Sequence, residues 1–130
     1  MKALSIKQPG AHLILHHGKD CENRTWRTHY HGPLLIHAGK KVDTHVCKSE
    51  RLFHKAHRDS WPLGAIVGVV NLARCDEWIM SRWDEPNHWH WRLTRPRYFS
   101  KPVQYRGQLG LFNVPDELVA DALVSAKEAV

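Results

Sequence analysis

Ala65-Ile66-Val67-Gly68-Val69-Val70-Asn71-Leu72 is the most strand-like stretch of the chain. It is rich in β-branched residues and almost free of polar ones, which suits a strand buried on both faces at the centre of a sheet. Ser60-Trp61-Pro62-Leu63-Gly64 before it is a turn signal, so the strand has a defined start. Working outward, the other apolar segments are also short. Leu34-Leu35-Ile36-His37-Ala38 reads as a second buried strand ended by Gly39-Lys40-Lys41, and residues 1–6 as a weakly alternating first strand. Residues 89–93 read as a strand broken by Arg95-Pro96-Arg97, followed by two short strands at 102–105 and 109–112 with Arg106-Gly107 between them.

Helices are few. Gln8-Pro9-Gly10 breaks the first strand, and a proline near the first helical position suits helix initiation. Ala11, Leu13, Ile14 and Leu15 make a short apolar helix that Gly18 stops. A basic, weakly amphipathic helix is expected after Asp43 or Thr44, and an amphipathic one from Pro115 through Leu118, Val119, Ala122, Leu123 and Ala126. Residues 76–90 carry Trp78, Trp83 and Trp89 among polar residues and read as a helix or an irregular insert. Strands and helices do not alternate regularly, which argues against a doubly wound parallel sheet. The expected fold is α+β, a small mixed, mostly antiparallel β-barrel with peripheral helices, in a single domain over residues 1–130.

A chain of 130 residues with 42% hydrophobic and 25% charged residues has an ordinary globular balance. Its formal charge is +6, unevenly spread. Asp20, Glu22, Asp43 and Glu50 are the only acids before Asp59, against eleven lysines and arginines, whereas the last fifteen residues carry Asp116, Glu117, Asp121 and Glu128 against Lys127 alone. A basic body of this kind attracts polyanions, nucleic acid foremost. Three scattered cysteines, Cys21, Cys47 and Cys75, form no CxxC pair and point to a reducing compartment. No signal-like start and no membrane-length apolar run is visible, so a cytoplasmic protein without a membrane partner is expected.

Gly18-Lys19-Asp20-Cys21-Glu22-Asn23-Arg24-Thr25-Trp26-Arg27 concentrates the chemistry. Strand alternation over it places Lys19, Cys21 and Asn23 on one face and Asp20, Glu22 and Arg24 on the other. Lysine is a phosphate ligand, or a base or nucleophile when burial lowers its pKa. Glutamate is a general base or an acceptor for a nucleobase amino group, and arginine a fork for phosphate or a base edge. The plainer alternative is a salt-bridged surface strand. Six tryptophans are a rich supply, and Trp26, between Arg24 and Arg27, is the best candidate for stacking on a base; Trp89 and Trp91 read as core on one strand face. The helix start after Gln8-Pro9 is a candidate anion site. Eleven histidines come without CxxC or HExxH, so no metal or other cofactor is expected, and no nucleophile-elbow motif accompanies the serines and cysteines.

Ser5-Ile6-Lys7-Gln8-Pro9, an apolar helix, and Gly18-Lys19-x-x-Glu22-Asn23-Arg24-x-Trp26 together resemble the ASCH domain family of the PUA-like superfamily. Gly68-Val69-Val70-Asn71-Leu72, Trp89-His90-Trp91, Lys101-Pro102-Val103 and Gly107-Gln108-Leu109-Gly110-Leu111-Phe112 agree with that resemblance. It implies a β-barrel with a cleft lined by the helix after Gln8-Pro9 and the Lys19/Glu22/Arg24 strand, and a role in RNA binding. On it, Lys7, Gln8, Lys19, Glu22, Asn23, Arg24, Trp26 and Arg27 become the nucleic-acid-binding set, with Lys40 and Lys41 as further phosphate ligands. The alternative it implies is a hydrolase, a ribonuclease or an amidohydrolase on a modified nucleoside such as N4-acetylcytidine, with Lys19 and Glu22 catalytic. The deacetylating relatives carry a nucleophilic threonine where this chain has Glu22, which speaks against that chemistry; Gly10 stands where many relatives have tryptophan. A third possibility is a protein-interaction adaptor using the Trp-rich segment 78–91.

Overall fold

The strand expected at Ala65 forms the middle of the sheet in the computed structural model, which describes residues 1–45 and 60–129. In chain order the elements are β1 (Lys2–Gln8), α1 (Gly10–His16), β2 (Cys21–Arg24), β3 (Gly32–Val42), β4 (Ala65–Asp76), β5 (Trp89–Gln104), β6 (Leu111–Asn113) and α2 (Asp116–Ser125). The basic helix expected after Asp43 lies almost wholly outside the described residues. The six strands run in the order β2-β5-β4-β3-β1-β6. β1 and β3 are parallel, joined through α1 and β2, and every other pairing is antiparallel. The fold is α+β with a mostly antiparallel sheet.

The barrel is not closed: β2 and β6 end the sheet, and no backbone ladder joins them. The sheet still curls, because Arg24 at the end of β2 donates from Nη2 to the Ser5 carbonyl on β1 at 2.8 Å.

Two expected strand ends are absorbed as irregularities. β3 continues through Gly39-Lys40-Lys41, because parallel pairing with β1 carries on to Gln8↔Val42 across a register shift. β5 is one strand of 16 residues, and Arg95-Pro96-Arg97 is a bulge within it. Arg95 takes φ 53°, and the register with β4 slips between Asn71↔Thr94 and Val69↔Arg97. The extra residue falls where Pro96 has no N–H to give to the ladder. Residues 77–88 form an irregular insert without a helix.

Alternation sorts the core. Leu34, Ile36 and Ala38 of β3 join one apolar cluster with Leu4, Ile6, Trp91 and the Ile14 and Leu15 side chains of α1. Leu35 joins the other, with Ala3, Ile66, Val69, Phe112 and Val119 of α2. α1 is therefore clamped by burial of Ala11, Ile14 and Leu15, and Gly18, at φ 72°, turns the chain into the charged stretch. Among the described residues no helix is long and apolar enough to cross a membrane.

Gly68 is where β4 touches α1. A Cβ there would stand 2.5 Å from the Arg97 carbonyl oxygen and 2.7 Å from a Leu15 methyl. Gly68→Ala should destabilise the protein by about 3 kcal/mol, since the backbone oxygen cannot step aside. Chemical denaturation checks this through a lower midpoint at an unchanged m-value.

Candidate functional site

The charged stretch keeps its strand alternation only from Cys21 onward. Cys21 is fully buried, and its thiol donates toward Asn23 Oδ1 at 3.4 Å on the same face. Glu22 and Arg24 share the other face, where Arg24 Nε donates to Glu22 Oε2 at 2.9 Å. Lys19 lies before the strand and so escapes the expected alternation. Its Nζ is 3.8 Å from Glu22 Oε1, on the Glu22 and Arg24 side. Asp20 goes the opposite way, its Oδ1 accepting from Ser81 Oγ at 2.7 Å. The carboxylate of Glu22, 8% exposed, thus has a cation at each oxygen.

These groups line a chamber of about 430 Å³ in the gap between β1 and β2. Lys7, Lys19, Glu22, Asn23, Arg24 and Trp26 all reach it, joined by Ser5, Gly10, Asp43, Glu85 and His88. Lys7, Lys19 and Arg24 are balanced there by Glu22, Asp43 and Glu85. A second chamber of about 550 Å³ adjoins it and shares Ser5, Lys7 and Arg24. Among the described residues, those with charge that line it are Lys7, Arg24, Lys40, Lys41 and Arg106, with no carboxylate. Both volumes fall in the usual range of ligand sites.

Two members of the expected set are elsewhere. Gln8 is 1% exposed and committed to structure: Nε2 donates to the Pro62 carbonyl, and Oε1 accepts from the His12 N–H. It thereby satisfies one of the orphan donors at the start of α1, which is not a vacant anion site. Arg27 leaves the chamber for the Trp89 ring, its Cζ 5.2 Å from the centroid. Asn23 reaches the chamber but acts as a clamp, with Nδ2 donating to the Trp83 carbonyl and Oδ1 accepting from the Glu85 N–H. Trp26 stands edge-on to buried Trp91 at 4.7 Å between centroids and is 36% exposed, so part of its ring surface remains open to a ligand.

The insert that brings Glu85 and His88 to the chamber is pinned by one arginine. Arg92 of β5 donates to Asp76, to both oxygens of Asp84 and to the Trp78 carbonyl. The Asp84 side chain is fully buried. Burial alone raises its pKa, but the Arg92 guanidinium and the N–H groups of Met80 and Ser81 outweigh that and hold the carboxyl well below the usual range. The Arg92 hydrogen bonds likewise lower Asp76. Burial, then the Asp84 carboxylate, pushes the Cys21 thiol up, which leaves it inert as a nucleophile. Among the described residues no group of three His, Cys, Asp or Glu is placed to hold a metal ion.

The model of the ASCH domain matches residues 4–108. The chain belongs to the ASCH domain family. No curated protein matches it. The matched span contains every residue of the first chamber, and it ends before β6 and α2. Sequence reasoning overlooked Ser5, Arg106, Glu85 and His88. Strand period alone puts Ser5 beside Lys7 on one face of β1; the other three arrive from loops distant in sequence and leave no local signal.

The lowered carboxyls set a pH dependence. A depressed folded pKa contributes stability above the unfolded value of about 3.9 and loses it as pH falls toward the folded one. Below about pH 4 the insert should loosen, seen as a change in Trp78 and Trp83 emission. Asp84→Asn should shrink that acid step to the part that Asp76 contributes and cost about 3 kcal/mol at neutral pH, because Arg92 loses a buried partner.

Proposed function

We propose that this ASCH domain binds single-stranded nucleic acid, with one base in the balanced chamber and the adjoining phosphate in the basic one. The observation that carries this is the contrast between the two joined chambers: among the described residues, one has balanced charge and an aromatic wall, the other Lys7, Arg24, Lys40, Lys41 and Arg106 and no acid. A nucleobase offers donors, acceptors and a π-face but no charge, whereas phosphate demands cations. Trp26 supplies the stacking surface. Lys19 faces the base rather than phosphate, because it lines the balanced chamber and not the basic one. The sequence family supports RNA as the natural class.

The hydrolase alternative uses the same groups and is weaker. Glu22 faces Arg24 and Lys19 through its two oxygens, so it serves as an anchor for cations rather than a base for water. If Lys19→Ala abolished turnover of an RNA or a modified nucleoside while binding persisted, catalysis would replace binding as the function.

Fluorescence anisotropy with a labelled oligouridine checks the proposal. The logarithm of the affinity should fall linearly with the logarithm of salt, and Lys40→Ala should reduce that slope by about 0.7. Trp26→Ala should weaken binding by at least about fivefold at any salt, the low end for one stacked base. Absence of binding to any single strand, or binding indifferent to salt, rejects it.

A further inference from the structure

Ser5 lines both chambers, as Lys7 and Arg24 do, so it stands where the proposed base and phosphate sites adjoin. Its hydroxyl is not an ordinary one. His37, 1% exposed, lies beneath it with Nδ1 at 3.0 Å from Ser5 Oγ and Nε2 at 2.7 Å from the Tyr105 carbonyl oxygen. A carbonyl only accepts, so the ring proton is on Nε2 and Nδ1 presents its lone pair. Ser5 therefore donates its one proton downward to His37, and what remains on Oγ is acceptor capacity.

Glycines frame the arrangement. A Cβ on Gly107 would come within 2.8 Å of His37 Cε1 and 3.2 Å of Ser5 Oγ, and one on Gly39 within 3.3 Å of the same oxygen. The loop carrying Arg106 is thereby seated directly on the serine and histidine. A nucleophilic serine would need open space for a tetrahedral centre, and a single added carbon at either glycine would already crowd this oxygen. An acceptor needs only a single line of approach, and Ser5 stays partly exposed.

Resting on the binding function proposed above, we infer that Ser5 is the sugar-discriminating residue, accepting a hydrogen bond from the ribose 2′-hydroxyl and so selecting RNA over DNA. A 2′-hydroxyl donates where deoxyribose has only C–H, and that difference is what separates the two nucleic acids at a single site. His37 is the positioning residue, since it takes up the serine proton. Without it the serine hydroxyl would be free to rotate and donate, and the preference would fade.

Three decamers of uridine that differ only in the sugar test this: ribose, 2′-deoxyribose, and 2′-fluoro, which keeps a ribose-like pucker but has no donor. The ribose strand should bind about fivefold tighter than either of the others, the worth of one neutral hydrogen bond. Ser5→Ala should abolish the ribose preference, so that the three strands bind alike, and an unchanged circular-dichroism spectrum shows the cleft still folded. Equal affinity for all three strands, or a 2′-fluoro strand that binds like ribose, overturns the inference while leaving strand binding in place. If no strand binds, the binding function falls, and this inference with it.

Discussion

One guanidinium ties the edge strand β2 across to β1, the neighbour of the opposite edge. Arg24 at the tip of β2 grips Glu22 on its own strand and the Ser5 carbonyl on β1, with 2.9 and 2.8 Å contacts. Backbone pairing does not do this, because β2 pairs with β5 and β6 with β1. A side-chain bridge leaves space beside itself, and both chambers are lined by Arg24. The cleft is thus a consequence of incomplete closure. Glu22 makes the bridge tolerable: an arginine three-quarters buried beside a carboxylate has its charge compensated, and Lys19 beyond it evens the balance.

The same logic of one cation ordering several groups recurs at Arg92. The insert after β4 has no helix to organise it and few apolar contacts, with Trp78, Ile79 and Met80 exposed. Its shape comes from Arg92, Asn23 and His90, each reaching into it from the sheet. Two distant loops, one held this way and one seated on His37, complete a site whose core elements are β1 and β2. Rigid strands position the shared cations together with Glu22, Lys40 and Lys41, and the loops add Lys19, Glu85, His88 and Arg106.

The central strand, the short apolar helix and its glycine stop were legible because each rests on local period and local stereochemistry. So was the pairing of Glu22 with Arg24, which needs only the alternation of one strand. Lys19 was misplaced by the same rule, since the strand starts two residues later and the lysine reaches Glu22 from outside it. Gln8 and Arg27 have the right chemistry for a nucleic acid, but helix start and indole ring claim them first. Whether a polar side chain is spent on structure depends on neighbours far along the chain, and no pattern in a single sequence records that. The breaks read at Gly39 and at Arg95-Pro96-Arg97 failed for a related reason: pairing on both sides of a long strand outweighs a local preference to stop. Barrel closure was overestimated because strand count says nothing of whether the last strands meet.

The nearness of Gly107 to the serine and histidine makes three positions on three separate segments answer to one another. Any side chain at 107 collides with His37, so that position is tied to glycine for as long as the histidine remains. In a lineage that lost His37, the pressure on 107 would lift, and the loop bearing Arg106 would be free to drift. Residues 5, 37 and 107 should therefore change together or not at all, a correlated trio that records in descent a contact no single sequence displays.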